Sequence, residues 1–205
     1  PPIPQGTLLT ASLGIAADFG ALADAAITGT GDIIDGDVGS ETGAIAATVT
    51  STGGTIYPTG DPVVLDAMSI LETVYDDVKT RPYDVLLSPI AYDFGGKTLT
   101  AGIQKVVGIG SMTTPLTLDG QDDPDAFFLI QIGGALNTTA TYGNVILTRG
   151  AQSKNVFWVV EGAITTGASS HIEGTLFARD AFTSGASTTI NGRLYSVFAA
   201  ITLGA

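Results

Sequence analysis

Two periodicities of apolar residues divide the chain. Over residues 62–80, Val64, Met68, Leu71, Tyr75 and Val78 recur at spacings of four, three, four and three. That is the repeat of a helix with one buried stripe, and Asp66, Glu72, Asp76, Asp77 and Lys79 fall largely off it. Asp61 before Pro62 is a favoured start, because the carboxylate caps free amides and proline lacks one. Arg81-Pro82 stops the helix, since a residue before proline avoids helical geometry. One long helix is therefore predicted at about 62–80. Almost everything else reads as short strands broken by Gly, Asn-Gly and Asp-Gly.

The strand pattern also repeats. GAITTGASSHIEGTLFAR (162–179) lies directly over DAFTSGASTTINGRLYSV (180–197), and AAITLGA begins a further copy. ALNTTATYGNVIL (135–147) and AAITGTGDIIDGDVG (25–39) are looser copies. A repeat of this length with inward apolar positions and glycine corners predicts an all-β solenoid, in which no coil buries its apolar face alone. Alternation makes Ile164, Phe182, Ile172, Ile190, Leu176 and Leu194 the inward set. Thr165, Thr183 and Thr202 then take matching outward positions on successive coils. TVTST places Thr48, Thr50 and Thr52 on one strand face, and Ser184 and Thr188 belong to the hydroxyl-rich stretch TSGASTTING. The helix is expected to pack along the solenoid through its stripe.

Composition supports this reading. The 205 residues suit a single domain, 1–205, and 44% are hydrophobic against 14% charged, which is not a disordered composition. Threonine (28) and glycine (27) dominate, as tight-cornered β structure requires. Eight basic residues face 20 acidic ones, a formal charge of -12. Nucleic acid and anionic membranes are therefore not expected partners. No apolar run approaches 18 residues, so nothing is expected to span a bilayer. PPIPQG reads as a mature or trimmed start. Cysteine is absent.

Candidate chemistry is sparse. The only histidine, His171, has Ser169, Ser170 and Glu173 beside it, but local neighbours on one strand are not a catalytic constellation. It reads as a solvated residue. GGKT (95–98) has Ala91 where a P-loop needs glycine, and a strand-like segment follows, so it reads as a turn. The acidic stretches DGQDDPDAF (119–127) and DIIDGDVG (32–39) match no calcium-loop spacing and read as turns. No metal or cofactor is expected. Lys97, Lys105, Arg149, Lys154, Arg179 and Arg193 are scattered, which argues against a polysaccharide-binding or -cleaving β-helix; a structural adhesin module is a third reading.

LGIAADFGALADAAITGTG, DGDVG, VYDDVKTRP, AYDFGGKTLTAGI, LTLDGQDDPDAFFLIQIGGALNT and RGAQSKNVFWVVEGA, in this order, resemble the microbial ice-binding proteins of the DUF3494 type over essentially the whole chain. The resemblance implies a right-handed β-helix of triangular cross-section with the helix alongside. It also implies a secreted or cell-surface, non-enzymatic protein that adsorbs to ice crystals, here expected as a monomer. The family's coils need not stack in sequence order, so the C-terminal coil can lie beside the N-terminal one. One flat face is implied as the ice-binding surface. On this chain that face takes Thr28 and Thr30 after LADAA, and continues by the repeat to Thr165, Thr183 and Thr202, with Thr138 on the looser coil. Thr188 or Thr189 is expected on an adjacent face. Only ETGAIAATVTSTGGTIYPTG intervenes between GDVGS and the helix, shorter than the insert that often caps the solenoid, so a bare end, a cap from PPIPQGTLL or cover by a partner is expected.

Overall fold

The computed structural model describes residues 5–140 and 143–204. Every strand pairing among them is parallel, and the strands line three faces of a solenoid. The helix-bearing face has eight strands, in the spatial order Asp37–Ser40, Phe19–Ala23, Leu194–Ser196, Thr175–Ala178, Val156–Val160, Phe128–Ile132, Gly102–Val106 and Val85–Ser88. The second face has seven, in the order Ile27–Thr28, Ile201–Thr202, Phe182–Thr183, Ile164–Thr165, Leu136–Thr138, Gly110–Met112 and Tyr92–Asp93. The third face is divided into three groups, one of which pairs His171–Glu173 with Thr189–Asn191.

Stacking departs from chain order at one level. There the C-terminal strand Ile201–Thr202 lies between Ile27–Thr28 and Phe182–Thr183. On the helix-bearing face Phe19–Ala23 fills the same level, paired with Asp37–Ser40 and Leu194–Ser196. This coil is thus built from both ends of the chain. It contributes no strand to the third face, which parts there into a cleft lined by Ile33, Ile34, Thr188, Ile190 and Leu203.

Two apolar layers follow from strand alternation. Val156, Trp158 and Val160 point into the solenoid with Ile164, Phe182, Leu176, Leu194 and Ile201. Phe157 and Val159 point out, and with Leu129, Phe177 and Tyr195 they meet the long helix. A sheet buried on both sides reads as a continuous apolar run, which is what NVFWVV is. The long helix occupies Pro62–Thr80, with the Asp61 carboxylate accepting from the Val63 amide at 2.9 Å. All five stripe residues, Val64, Met68, Leu71, Tyr75 and Val78, are at most 1% exposed. Of the expected inward set only Ile190 is half-exposed, because it borders the cleft.

Two expectations need correction. Helical structure is not confined to 62–80: Gln5–Ser12 is an α-helix and Gly14–Asp18 a 3-10 helix. Leu9, Leu13 and Ala16 from this segment join the layer under the long helix, and the Tyr195 hydroxyl donates to the Ala16 carbonyl at 2.7 Å. Residues 5–9 of PPIPQGTLL therefore do not cap an end, Gly6 packing against Asn155 at mid-stack; residues 1–4 lie outside the described ones. Residues 41–60 instead wind a further coil, through bridges Ile27 to Ile45 and Val38 to Ile56 and the strand Thr50–Thr52 on Ile33–Asp35. The short insert is itself the terminal turn.

Phe177, fully buried with its ring 5.4 Å from that of Tyr195, joins solenoid to helix. Phe177→Ala should destabilise the fold by about 3–5 kcal/mol, the usual cost of emptying an aromatic site. Urea unfolding followed by far-ultraviolet circular dichroism measures it.

Candidate functional site

On the seven-strand face, Ile27, Ile201, Phe182 and Ile164 point inward at successive levels, so the next residue of each strand points out. Those residues are Thr28, Thr202, Thr183 and Thr165, all exposed and mutually in register. Strands roughly 4.8 Å apart make this a column of about 14 Å. The Thr28 hydroxyl reaches that of Thr202 at 3.4 Å. The column continues through Asn137 and Ser111 to Asp93.

A second column was overlooked in reasoning from the sequence. The residues before the inward positions are Ala26, Ala200, Ala181, Ala163 and Ala135, each half-exposed. Their carbonyls accept from the amides of Ile201, Phe182, Ile164, Leu136 and Gly110 at 2.8–3.0 Å, so they too are in register. The recurring alanine–apolar–threonine triplet in AIT, AFT and AIT was the available signal.

The other expected site residues go elsewhere. Thr138 is 9% exposed and lies inside, because Leu136 is inward and Asn137 takes the outward place opposite Thr165. The looser copy keeps the register of the others, so Thr138 takes the inward place that Thr166 holds on the next coil. Ser184, next to Thr183, is buried by the same alternation. Thr188 is half-buried, its hydroxyl donating to the Gly167 carbonyl at 3.2 Å, and Thr189 is the outward residue on the third face. Thr50 and Thr52 are exposed on the third face, and Thr48 bonds the Gly29 carbonyl from a neighbouring corner. Thr30 is exposed at a corner, beyond the strand that carries Thr28.

Backbones approach closely at the corner beside the column. A Cβ on Gly185 would stand 2.4 Å from the Ala168 nitrogen, and one on Gly167 would stand 2.2 Å from the Ala140 nitrogen. Ser169 and Ser187 hold the same left-handed conformation, φ +57° at both, so the corner is one backbone device used twice.

Electrostatically the face is graded. Its four-threonine half carries no charge in the column, whereas Asp93 closes the other end. Partial burial pushes the Asp93 carboxyl up, but the Thr113 hydroxyl and the amides of Gly95 and Thr113 outweigh it and hold it below the usual carboxylate range. Elsewhere, Arg149 spans Asp119 at 3.2 Å and Asp122 at 2.7 Å, and Asp123 accepts the Asp125 amide, as turn carboxylates do. His171 Nε2 lies 2.8 Å from Glu173 Oε1, while the Ser170 hydroxyl turns inward to the Gly167 carbonyl. Among the described residues no group of three or more His, Cys, Asp or Glu could hold a metal. No helix there is long and apolar enough to cross a membrane.

A parallel solenoid with one face under a helix and another bearing an in-register neutral column is a protein built to present a surface. The Ice-binding-like family model matches residues 15–205, and the chain belongs to that family. The ice-binding protein of Flavobacterium frigoris is 32% identical over 187 residues, 84% of this chain and 67% of that one. Ice-binding protein 1 of Shewanella frigidimarina is 35% identical over 114 residues, 55% of this chain but only 13% of that much longer protein. The solved ice-binding protein of Antarctomyces psychrotrophicus superposes with a TM-score of 0.87 at 31% identity, covering 94% of each chain. The fold is therefore the β-helix of that family, with the long helix alongside.

Two measurements check this description. Gly185→Ala should lower the melting temperature, because the added methyl meets backbone rather than a flexible side chain. The Asp93 carboxyl should titrate below the ordinary range in carbon-13 NMR, and Thr113→Val should raise it. Because the folded value is the lower one, the stability it confers is present above the ordinary carboxylate range and fades as pH falls through the folded value.

Proposed function

We propose that this chain binds ice through the seven-strand face, with Thr28, Thr202, Thr183 and Thr165 at its centre. The observation that carries the reading is the in-register column, flanked by Ala26, Ala200, Ala181 and Ala163 and free of charge over four levels. The names of the relatives and solved neighbours, all ice-binding proteins, support it. The helix-bearing face is covered by the long helix, and the third face is broken by the cleft.

Adsorption requires no chemical step. Hydroxyls spaced by the strand repeat hold water at regular positions, and the adjacent methyls, threonine and alanine alike, restrict the water between them. Rigid coils hold these groups before contact, so little conformational entropy is lost on binding. A carboxylate such as Asp93 holds its own hydration shell, so contact concentrates on the threonine half. Molecules fixed to the ice front pin it and suppress growth and recrystallisation. The chain acts outside the cell or on its surface, where ice forms, as a monomer and without catalytic activity.

Growth of single ice crystals in dilute protein tests this. The wild-type chain should shape the crystals and depress their growth temperature. Thr165→Tyr and Thr183→Tyr, which raise a ring above the column, should each remove most of that depression while circular dichroism stays unchanged. Thr189→Tyr, on the third face, should retain it. Unshaped crystals with the wild-type protein would refute ice binding, and fully active Thr165→Tyr and Thr183→Tyr would refute the face.

A further inference from the structure

Directly behind the threonine column runs a line of buried hydroxyls. On three coils the residue after the outward position turns a hydroxyl inward: Thr138 after Asn137, Thr166 after Thr165, and Ser184 after Thr183, at 9%, 3% and 8% exposure. Ser170 and Thr188 reach the same line from the far side of the corner. The coils that carry Asn137, Thr165, Thr183 and Thr202 are bridged at each of their three interfaces. Thr138 Oγ1 lies 3.0 Å from Ser170 Oγ and accepts the Gly167 amide at 3.0 Å. Thr166 Oγ1 lies 3.3 Å from Thr188 Oγ1. Ser184 Oγ accepts the Gly204 amide at 2.9 Å.

We infer that this ladder positions the outward column, making Thr138, Ser170, Thr166, Thr188 and Ser184 positioning residues of the surface rather than parts of it. The inference rests on the reading of the seven-strand face as the ice-contacting one. The strands Ile164–Thr165, Phe182–Thr183 and Ile201–Thr202 are two residues long, so few backbone bonds hold each interface at this face. Just beyond them the backbone bonds from the Thr166 amide to the Thr183 carbonyl and from the Ser184 amide to the Thr202 carbonyl are joined by those of the ladder, one residue from Thr165 and Thr183. A hydroxyl both donates and accepts, so a single small side chain joins two coils without bringing charge behind the face. Removing one leaves a buried partner such as the Gly167 amide unpaired, and the corner shifts to find another.

The test compares the double variant Thr138→Val, Ser170→Ala with Thr138→Ser, Ser51→Ala and Thr165→Tyr. Ser51 donates to the Gly36 carbonyl at 2.6 Å near the third face, so Ser51→Ala removes a hydroxyl of the same kind away from the column. Melting temperature, thermal hysteresis and the NMR order parameter of the Thr165 methyl are measured for each. The double variant should remain folded at assay temperature, lose most of its thermal hysteresis and show a more mobile Thr165 methyl. Thr138→Ser should keep both properties, and Ser51→Ala should keep activity despite a comparable fall in melting temperature. Full activity or unchanged methyl order in the double variant, or an equal loss in Ser51→Ala, overturns the inference. Thr165→Tyr separates the causes: inactive beside a fully active double variant, it leaves the face standing and removes the ladder alone, whereas if it stays active the face itself falls.

Discussion

Everything proposed for this chain depends on parallel hydrogen bonding between coils, and above all on the seam where the two ends of the chain meet. Ile201–Thr202 is bonded on one side to Ile27–Thr28 and on the other to Phe182–Thr183. Without that strand Thr28 would be separated from Thr183, and the column of four would become a pair and a single residue. Parallel pairing keeps identical positions opposite one another at roughly 4.8 Å, so a repeat in sequence becomes a repeat in space.

The seam is supported from behind. The apolar interior sets which residues point out, because Ile27, Ile201, Phe182 and Ile164 all bury their side chains. The long helix braces the opposite sheet, and the N-terminal helical segment is tied to it through Leu9, Leu13 and Ala16. Such a scaffold is stiff because both sides of the helix-bearing sheet are packed. It leaves the seven-strand face as the unbroken uncovered surface, with its uncharged half at the seam.

Much of this is legible in the sequence, and the remainder is not for identifiable reasons. The long helix is read to the residue from Asp61-Pro62, a clean stripe and Arg81-Pro82. Thr165, Thr183 and Thr202 follow from laying one coil over the next, since equal coil lengths preserve the register. Thr138 fails because its coil keeps the register, with Asn137 opposite Thr165, which leaves Thr138 at the inward place of Thr166. Of Thr188 and Thr189 it is Thr189 that points out, a choice left open because Ser187 takes a left-handed conformation and strict alternation does not survive such a corner. The helix Gln5–Ser12 shows no clear stripe; it is made helical by what it docks against. The alanine column is written plainly in the triplets, but a methyl attracts less notice than a hydroxyl.

The most direct test is to freeze the isotopically labelled protein in ice and follow magnetisation from ice protons to threonine methyls by solid-state NMR. Transfer should be strongest to Thr28, Thr165, Thr183 and Thr202, and weak at Thr98, Thr117 and Thr189 on the third face. Equal transfer to both sets, or stronger transfer to the third face, would contradict the account.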